Sequence, residues 1–188
     1  MKTDIILAGV GGQGILSVAA VIGEAALEDG LYMKQAEVHG MSQRGGDVQS
    51  HLRISDKPVA SDLIPLGNVD IIISLEPMEA LRYLPYLKKD GWVVTNSKSF
   101  ENIPNYPELD NIIKEYEKLP NKVILDVEQI AKDLGASRSA NVVLLGAASP
   151  YLNIDFSKLE NGIRAIFGRK GEEIVETNLK ALRAGRMC

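Results

Sequence analysis

A glycine-rich turn directly after the first apolar run constrains this chain more than any other feature. Ile5-Ile6-Leu7-Ala8 is short and wholly apolar, and Gly9-Val10-Gly11-Gly12-Gln13-Gly14 follows it with the spacing Gly-x-Gly-x-x-Gly. From Ile15 to Leu27 the apolar residues recur with helical spacing, and Asp29-Gly30 ends the run. The pattern predicts a buried strand, a tight turn and a helix. Because the first amides of a helix are unpaired and its dipole is positive there, the turn favours a phosphate or a carboxylate.

The same order of strand and helix recurs along the chain. Strands are predicted at 32–38, 48–54, 69–74, 92–95 and 123–126, with helices from Pro77, within 102–121, and over 141–148, 156–167 and 172–183. The alternating residues 48–54 and the turn Ser55-Asp56-Lys57-Pro58 predict an antiparallel hairpin with Val59-Ala60. We therefore predict one α/β domain over residues 1–188, with three α/β/α layers, a Rossmann-like sheet that is mostly parallel but mixed, and a helical C-terminus.

Composition excludes several classes of protein. The chain has 188 residues and a formal charge of −4 with both signs mixed, so a basic nucleic-acid surface is not expected. Cys188 is the sole cysteine, which rules out an intramolecular disulfide and an iron–sulfur cluster ligated by this chain's cysteines alone. The apolar run before Gly9 is too short for a signal peptide or a membrane span, so we expect a cytoplasmic protein without membrane contact.

A second polar, glycine-spaced segment is the best candidate for chemistry. In Ser42-Gln43-Arg44-Gly45-Gly46 a planar, always-charged guanidinium stands among hydroxyl, amide and backbone donors, a combination suited to anions and carbonyl groups. Arg44 is the candidate catalytic residue; the alternative is an exposed arginine in a flexible loop. The candidate cofactor-binding residues are Gly9, Gly11, Gly12, Gln13, Gly14, Ser42, Gln43, Gly45 and Gly46. For the turn from Gly9 to Gly14, the alternative to ligand binding is a tight strand–helix turn whose glycines only permit close packing.

Other polar positions carry weaker hypotheses. Glu37 could bind a ribose, as the acidic residue of a dinucleotide fold does, or could be a solvated charge at a strand end. Glu76 and Asn96 follow predicted strands, where ligands gather in open sheets, but both are also ordinary helix or turn caps. His39 and His51 have no metal-ligand spacing, and structural roles are expected for both. No metal site is predicted.

Three segments in this order resemble the gamma-type domain of the 2-oxoacid:ferredoxin oxidoreductases: Gly9 to Gly14, Glu37 to Gly46, and Ser74-Leu75-Glu76-Pro77-Met78-Glu79-Ala80-Leu81-Arg82. As a free-standing chain with Met-Ser-Gln-Arg-Gly-Gly, it is most similar to small subunits of the indolepyruvate-oxidising branch. The resemblance runs from Lys2 to about Gly146.

The resemblance implies a heteromeric enzyme that oxidatively decarboxylates an aryl-2-oxoacid to its acyl-CoA and passes the electrons to ferredoxin. A large alpha subunit would hold thiamine diphosphate with magnesium and the iron–sulfur clusters, while this chain alone would hold no cofactor. Its two glycine-containing segments would face either thiamine diphosphate or the co-substrate CoA. Two other hypotheses stay open: a stand-alone Rossmann-like nucleotide-binding module, and a subunit whose glycine loops only shape a contact surface.

Overall fold

The glycine turn leaves the carboxyl end of a central strand in the computed structural model, which describes residues 1–40, 45–101 and 103–188. The strands in those residues are β1 (Lys2–Val10), β2 (Tyr32–His39), β3 (Asp47–Ser55), β4 (Val69–Ser74), β5 (Leu87–Asn96) and β6 (Lys122–Leu125). The α-helices are α1 (Ile15–Glu28), α2 (Pro77–Arg82), α3 (Leu109–Glu117), α4 (Val127–Asp133), α5 (Ala140–Ala148), α6 (Phe156–Phe167) and α7 (Glu172–Arg186).

The strands form one mixed sheet in the order β2-β3-β1-β4-β5-β6. β1, β4, β5 and β6 pair in parallel, and β3 pairs antiparallel with both β1 and β2. The predicted α/β class, the mostly parallel but mixed sheet and the helical C-terminus are confirmed.

Successive residues of β1 point to opposite faces of the sheet and belong to separate cores. Ile5 and Leu7 pack in the core that includes α1 and the helices from α4 to α7. Ile6 and Ala8 pack on the other face with residues of α2 and α3. The sheet therefore lies between two helical layers, as predicted. Among the described residues, no helix is both long and apolar enough to cross a lipid bilayer.

The predicted hairpin between β3 and Val59-Ala60 is wrong. Antiparallel pairing joins β3 to β2, with Met33 opposite Ile54 and Gln35 opposite Leu52, and Val59-Ala60 has no strand structure. Proline has no backbone donor, so Pro58 cannot contribute a ladder hydrogen bond next to this two-residue run.

Side chains of β3 instead hold the segment 56–68 in place through hydrogen bonds to its backbone. Arg53 donates from Nη1 to the carbonyl oxygens of Ser61 (3.0 Å) and Leu63 (2.9 Å). His51, which is buried, accepts at Nδ1 from the amide of Ile64 at 3.0 Å. The expected structural role of His51 is therefore seen in the fold.

This bond predicts a pH-dependent stability. Burial, reinforced by the Arg53 guanidinium, lowers the pKa of His51 below its ordinary 6.5. The unfolded chain therefore binds a proton at this residue before the folded chain does. The contribution of neutral His51 to the free energy of unfolding is therefore fully present above pH 6.5. As the pH falls below 6.5, the free energy of unfolding decreases by at most about 1.4 kcal/mol per pH unit. Urea unfolding from pH 7.5 to 5.5 should show this loss.

The matched control is His51→Asn, whose side-chain oxygen can accept the same amide hydrogen without titrating in this range. The variant should lose less unfolding free energy than the wild type over the same pH interval. Parallel pH profiles for the two proteins would contradict the assignment.

Candidate functional site

The side chain of Gln13 folds back into the glycine turn and holds it. Its Oε1 accepts from the amide of Val10 at 2.7 Å, and its Nε2 donates to the carbonyl oxygen of Leu75 at 3.3 Å. A Cβ on Gly9 would lie 2.8 Å from that Oε1, so the absence of a side chain there makes room for Gln13. The turn at the end of β1 is thereby tied to the end of β4.

Gly14 caps α1 from the left-handed region of backbone space, with φ 84° and ψ 26°. Among the residues that the structure describes, no side chain caps the amides of the first turn of α1, and that turn carries no acidic residue. The carbonyl oxygen of Gly14 accepts from Asn141 Nδ2 at 3.1 Å, and Asn141 is 9% exposed. The starts of α1 and α5 are therefore joined.

We expect Gly14→Ala to destabilise the chain by about 2–4 kcal/mol. A left-handed conformation costs an L-residue about 1–2 kcal/mol. The new Cβ would also lie 2.6 Å from Asn141 Nδ2 and would displace its bond. Chemical denaturation measures the loss. Gly12→Ala is the matched control, because Gly12 also has positive φ (102°) but a Cβ there would meet nothing within 4 Å. Equal losses in both variants would contradict the role of Asn141.

The turn opens into a groove at the carboxyl end of the sheet. The connection after β1 leads to α1 on one face, whereas that after β4 leads to α2 on the other face. Adjacent parallel strands whose connections diverge in this way leave a crevice between them, which is where open α/β sheets bind ligands. The groove therefore lies at the position that the topology favours.

The groove has two lobes that share Gly12, Gln13, Ser137, Arg138 and Asn141. The α7 lobe has a volume of about 720 Å³ and the α4 lobe about 580 Å³. The α7 lobe is also lined by Gly14, Phe167, Lys170, Glu173, Ile174 and Thr177. The α4 lobe is also lined by Leu75, Val127, Glu128, Lys132 and Ala140. A long ligand could thus extend to both sides of Arg138.

The cations of the groove are available to an anion. These are Lys132 in the α4 lobe, Arg138 between the lobes and Lys170 in the α7 lobe. All three are exposed, and none forms an ion pair with a described acidic residue. Lys170 Nζ stands 5.3 Å from the centre of the Phe167 ring, so a positive charge and an aromatic ring adjoin in the α7 lobe. Together with the uncapped start of α1, these groups favour a phosphorylated ligand with an apolar or aromatic part.

The structure divides the predicted binding residues into two groups. Gly12, Gln13 and Gly14 line the groove. Gly9 and Gly11 serve the turn itself, since the amide of Gly11 donates to the carbonyl oxygen of Gly46 at 2.8 Å. Gly45 and Gly46 therefore lie against the first turn. Ser42, Gln43 and Arg44 lie outside the described residues.

Glu37 does not occupy the ribose-binding position of a dinucleotide fold. That position needs β2 beside β1, but β3 lies between them, which places β2 about 10 Å from β1. Glu37 is on the edge strand and accepts from Gln35 Nε2 at 2.9 Å. The antiparallel insertion thus argues against the dinucleotide hypothesis.

The two strand-end candidates are buried and serve as caps. Glu76 Oε2 accepts from the amide of Glu79 at 2.8 Å, at the start of α2. Asn96 Oδ1 accepts from the amide of Val127 at 3.3 Å, at the start of α4. Neither residue lines the groove.

Sequence reasoning missed the residues that bring charge to the groove. Arg138 and Lys170 lie far along the chain from Gly14, and only the fold brings Arg138, just before α5, and Lys170, just after α6, to the same groove. For Arg138 a local signal existed, since Ser137-Arg138-Ser139 precedes a helix start. Lys170 had no comparable signal.

Comparison with known proteins supports one family. The family model for pyruvate ferredoxin/flavodoxin oxidoreductase matches residues 4–188. The indolepyruvate oxidoreductase subunit IorB of Archaeoglobus fulgidus is 41% identical, with 98% of this chain and 94% of the relative covered. The gamma subunit of a keto/oxoacid ferredoxin oxidoreductase from Geobacter sulfurreducens is 27% identical with a TM-score of 0.69, covering 98% and 94%.

One solved relative is much longer than this chain. It is the 2-oxoglutarate:ferredoxin oxidoreductase of Magnetococcus marinus, solved with 2-oxoglutarate, coenzyme A and succinyl-CoA bound. The match has a TM-score of 0.77 at 24% identity, and it covers 99% of this chain but only 30% of that one. At this identity the likeness concerns the fold. The match over residues 4–188 and the relative at 41% identity make this chain a member of the pyruvate ferredoxin/flavodoxin oxidoreductase family.

Proposed function

We propose that this chain is the cytoplasmic small subunit of an enzyme that oxidatively decarboxylates an aryl-2-oxoacid, such as indolepyruvate, to its acyl-CoA with ferredoxin as electron acceptor. Residues 1–188 act as one domain in this proposal, and the chain has no activity alone. The similarity to indolepyruvate oxidoreductase subunits over nearly the whole chain supports the substrate class.

Within that enzyme, the groove binds the phosphate-bearing part of CoA. The observation that carries this assignment is the meeting of an uncapped helix start with Arg138 and Lys170 in a groove with two lobes. CoA offers several phosphates, an adenine ring and a long flexible arm, and the groove offers cations, backbone donors and an aromatic ring. The Magnetococcus enzyme binds CoA, but its likeness to this chain concerns the fold, so the assignment rests on the groove.

We assign thiamine diphosphate with magnesium and the iron–sulfur clusters to the large alpha subunit. A four-cysteine cluster cannot be built from a chain whose sole cysteine is Cys188, which is exposed at the end of the chain. Thiamine diphosphate supplies the carbanion chemistry of decarboxylation when bound. The residues of this chain bind and orient CoA so that its thiol reaches the large subunit.

Arg44 takes part in recognising the anionic ligand in this proposal. Arg44→Ala should lower kcat/KM of the assembled enzyme at least about tenfold, because a charge-assisted bidentate contact is lost. The chain should fold as before. Arg44→Lys keeps the charge but not the planar fork, so a comparable loss would indicate bidentate binding. Full activity in the reconstituted Arg44→Ala enzyme would contradict the role.

The proposal is tested by co-expression with a large chain that carries thiamine-diphosphate and ferredoxin-like cysteine motifs. The purified complex should reduce ferredoxin or a viologen dye only with both indolepyruvate and CoA present, and neither chain should do so alone. Absence of a complex, together with tight binding of NAD by this chain alone, would favour the stand-alone nucleotide-binding module.

A further inference from the structure

A buried carboxylate in the first turn of α2 has one oxygen without a hydrogen-bond donor. Glu79 is only 4% exposed. Arg82 Nε donates to its Oε1 at 3.1 Å and stands 3.1 Å from its Oε2, but no described group donates a hydrogen bond to Oε2. Folded proteins rarely leave a buried carboxylate oxygen unpaired, because the lost hydration is then not replaced. The site of Glu79 therefore calls for a donor that the described residues do not supply.

The neighbouring carboxylate shows that this part of the fold can satisfy a buried acid. Glu76 has no exposed surface, and its two oxygens accept from the amides of Glu79 and Phe100 and from the hydroxyl of Tyr106. The other hydroxyl on this side, that of Tyr116 in α3, donates to the backbone of α2. Three donors thus surround Glu76, whereas Oε2 of Glu79 has none. The contrast singles out Glu79.

The surroundings of Glu79 carry an excess of negative charge. Burial raises the pKa of Glu79, and the carboxylates of Glu76 and Asp47 reinforce this against the opposing guanidinium of Arg82. The same field acts on Tyr83, because burial and the charges of Glu79 and Asp47 raise its pKa to about 12. Asp47, at the start of β3, and Arg82 are both exposed. Three carboxylates thus act at one place against a single arginine.

A cationic side chain suits this site better than the other kinds of ligand. A phosphate would be repelled by the three carboxylates, and an apolar group would leave Oε2 unpaired. Within the part of the chain that the structure describes, no group of His, Cys, Asp and Glu could hold a metal ion. Lysine or arginine would supply both the missing hydrogen bond and the missing positive charge, and such charge-assisted bonds are the strong ones.

We propose that Glu79 receives a lysine or arginine side chain of the large subunit. The Arg82 side chain is 56% exposed and can rotate without disturbing the core, which gives an incoming side chain access to the carboxylate. A second copy of this chain is a poorer source, because each copy has a formal charge of −4 and would bring the same excess of carboxylates. The inference rests on the proposed function in requiring a large subunit.

The pairing has a consequence that calorimetry can measure. A cation beside Glu79 lowers its pKa, so a carboxyl that is partly protonated in the free chain loses its proton on association. Titration of the full-length chain with the large subunit at pH 5.5, in buffers of different ionisation enthalpy, counts the protons released. The wild type should release more than Glu79→Gln, by up to about one proton. Glu79→Gln should also weaken association about tenfold or more, because a hydrogen bond between charged groups is lost.

Glu160→Gln is the matched control. Glu160 is also a partly shielded carboxylate, but it is already paired with Arg183 at 2.6 Å and belongs to α6, on the other face of the sheet. This variant should bind the large subunit within about twofold of the wild type and release the same number of protons. The isolated Glu79→Gln chain should be at least as stable as the wild type in urea at pH 8, because the amide removes a buried charge. A purely structural role of Glu79 would instead lower that stability.

Each outcome decides between the hypotheses. Equal proton release by wild type and Glu79→Gln, or equal weakening by Glu160→Gln, would overturn the pairing while leaving the proposed function intact. A Glu79 carboxyl that titrates at or below pH 4.5 in the free chain, followed by NMR of its carboxyl carbon, would show that the free chain already supplies the donor and would overturn it too. So would proton release seen only on self-association. Failure of the wild-type chain to bind the large subunit would overturn the proposed function itself, and this pairing with it.

Discussion

Gly185→Ala should destabilise this chain strongly, with a loss of about 3 kcal/mol or more, at or above the upper end for overpacked cores. Helices α5 and α7 touch backbone to backbone. A Cβ on Gly185 would fall on the carbonyl oxygen of Val143 and lie 2.8 Å from its carbonyl carbon. From α5, a Cβ on Gly146 would meet the carbonyl oxygen of Leu182. Because backbone cannot rotate away as a side chain can, the helices must separate.

The separation would spread, because α5 is buried from Asn141 to Ala148 and supports the core on one face of the sheet. Thermal and urea unfolding measure the effect, and a melting temperature lower by roughly 10 °C is expected for a chain of this size. Gly168→Ala is the matched control: Gly168 has φ −54° and ψ −36°, and a Cβ there would meet nothing within 4 Å. It should be neutral or slightly stabilising. A Gly185→Ala chain as stable as that control would contradict the close contact.

The sequence predicted most elements of the fold because they carry strong local patterns. Apolar runs such as Ile5 to Ala8 mark strands buried on both faces, and the three C-terminal helical segments agree with α5, α6 and α7 almost residue for residue. The hairpin failed because pairing is not local. The alternation in β3 correctly predicted a strand. Its hairpin partner is β2, which lies before residues 40–46, and no local pattern favours β2 over Val59-Ala60 as the partner.

The site was predictable only as far as its motif. The glycine spacing indicated an anion-binding helix start, and the structure gives α1 an uncapped start at the groove. The glycine spacing did not indicate that the side chain of Gln13 would bond to Val10 and Leu75. The bond to Leu75 depends on β4 lying beside β1, which the local sequence does not show. The groove cations were beyond local reasoning for the same reason: chain segments more than 120 residues apart meet there only after α5 and α6 have packed.

If the groove binds CoA as proposed, removing Arg138 or Lys170 should strongly weaken the use of CoA by the assembled enzyme. Arg138 lies between the two lobes, and Lys170 stands beside Phe167 in the α7 lobe. Hydrogen bonds to charged groups contribute about 1.5–3 kcal/mol each, so each loss should raise KM for CoA about tenfold to a hundredfold. In the reconstituted complex, Arg138→Ala and Lys170→Ala should raise that KM while the KM for the 2-oxoacid stays near its wild-type value.

Arg169→Ala is the control, because Arg169 belongs to the same short turn (Gly168–Lys170) and is exposed, yet it does not line the groove. The loss of one positive charge alone should change KM for CoA by less than about threefold, through long-range attraction that salt screens. The effects at Arg138 and Lys170 should persist at raised ionic strength, since direct contacts are screened less. The contrary outcome is that all three variants raise KM for CoA equally and that high salt removes their difference from the wild type. In that case the cations would act only by general attraction, and the groove would not be the CoA site.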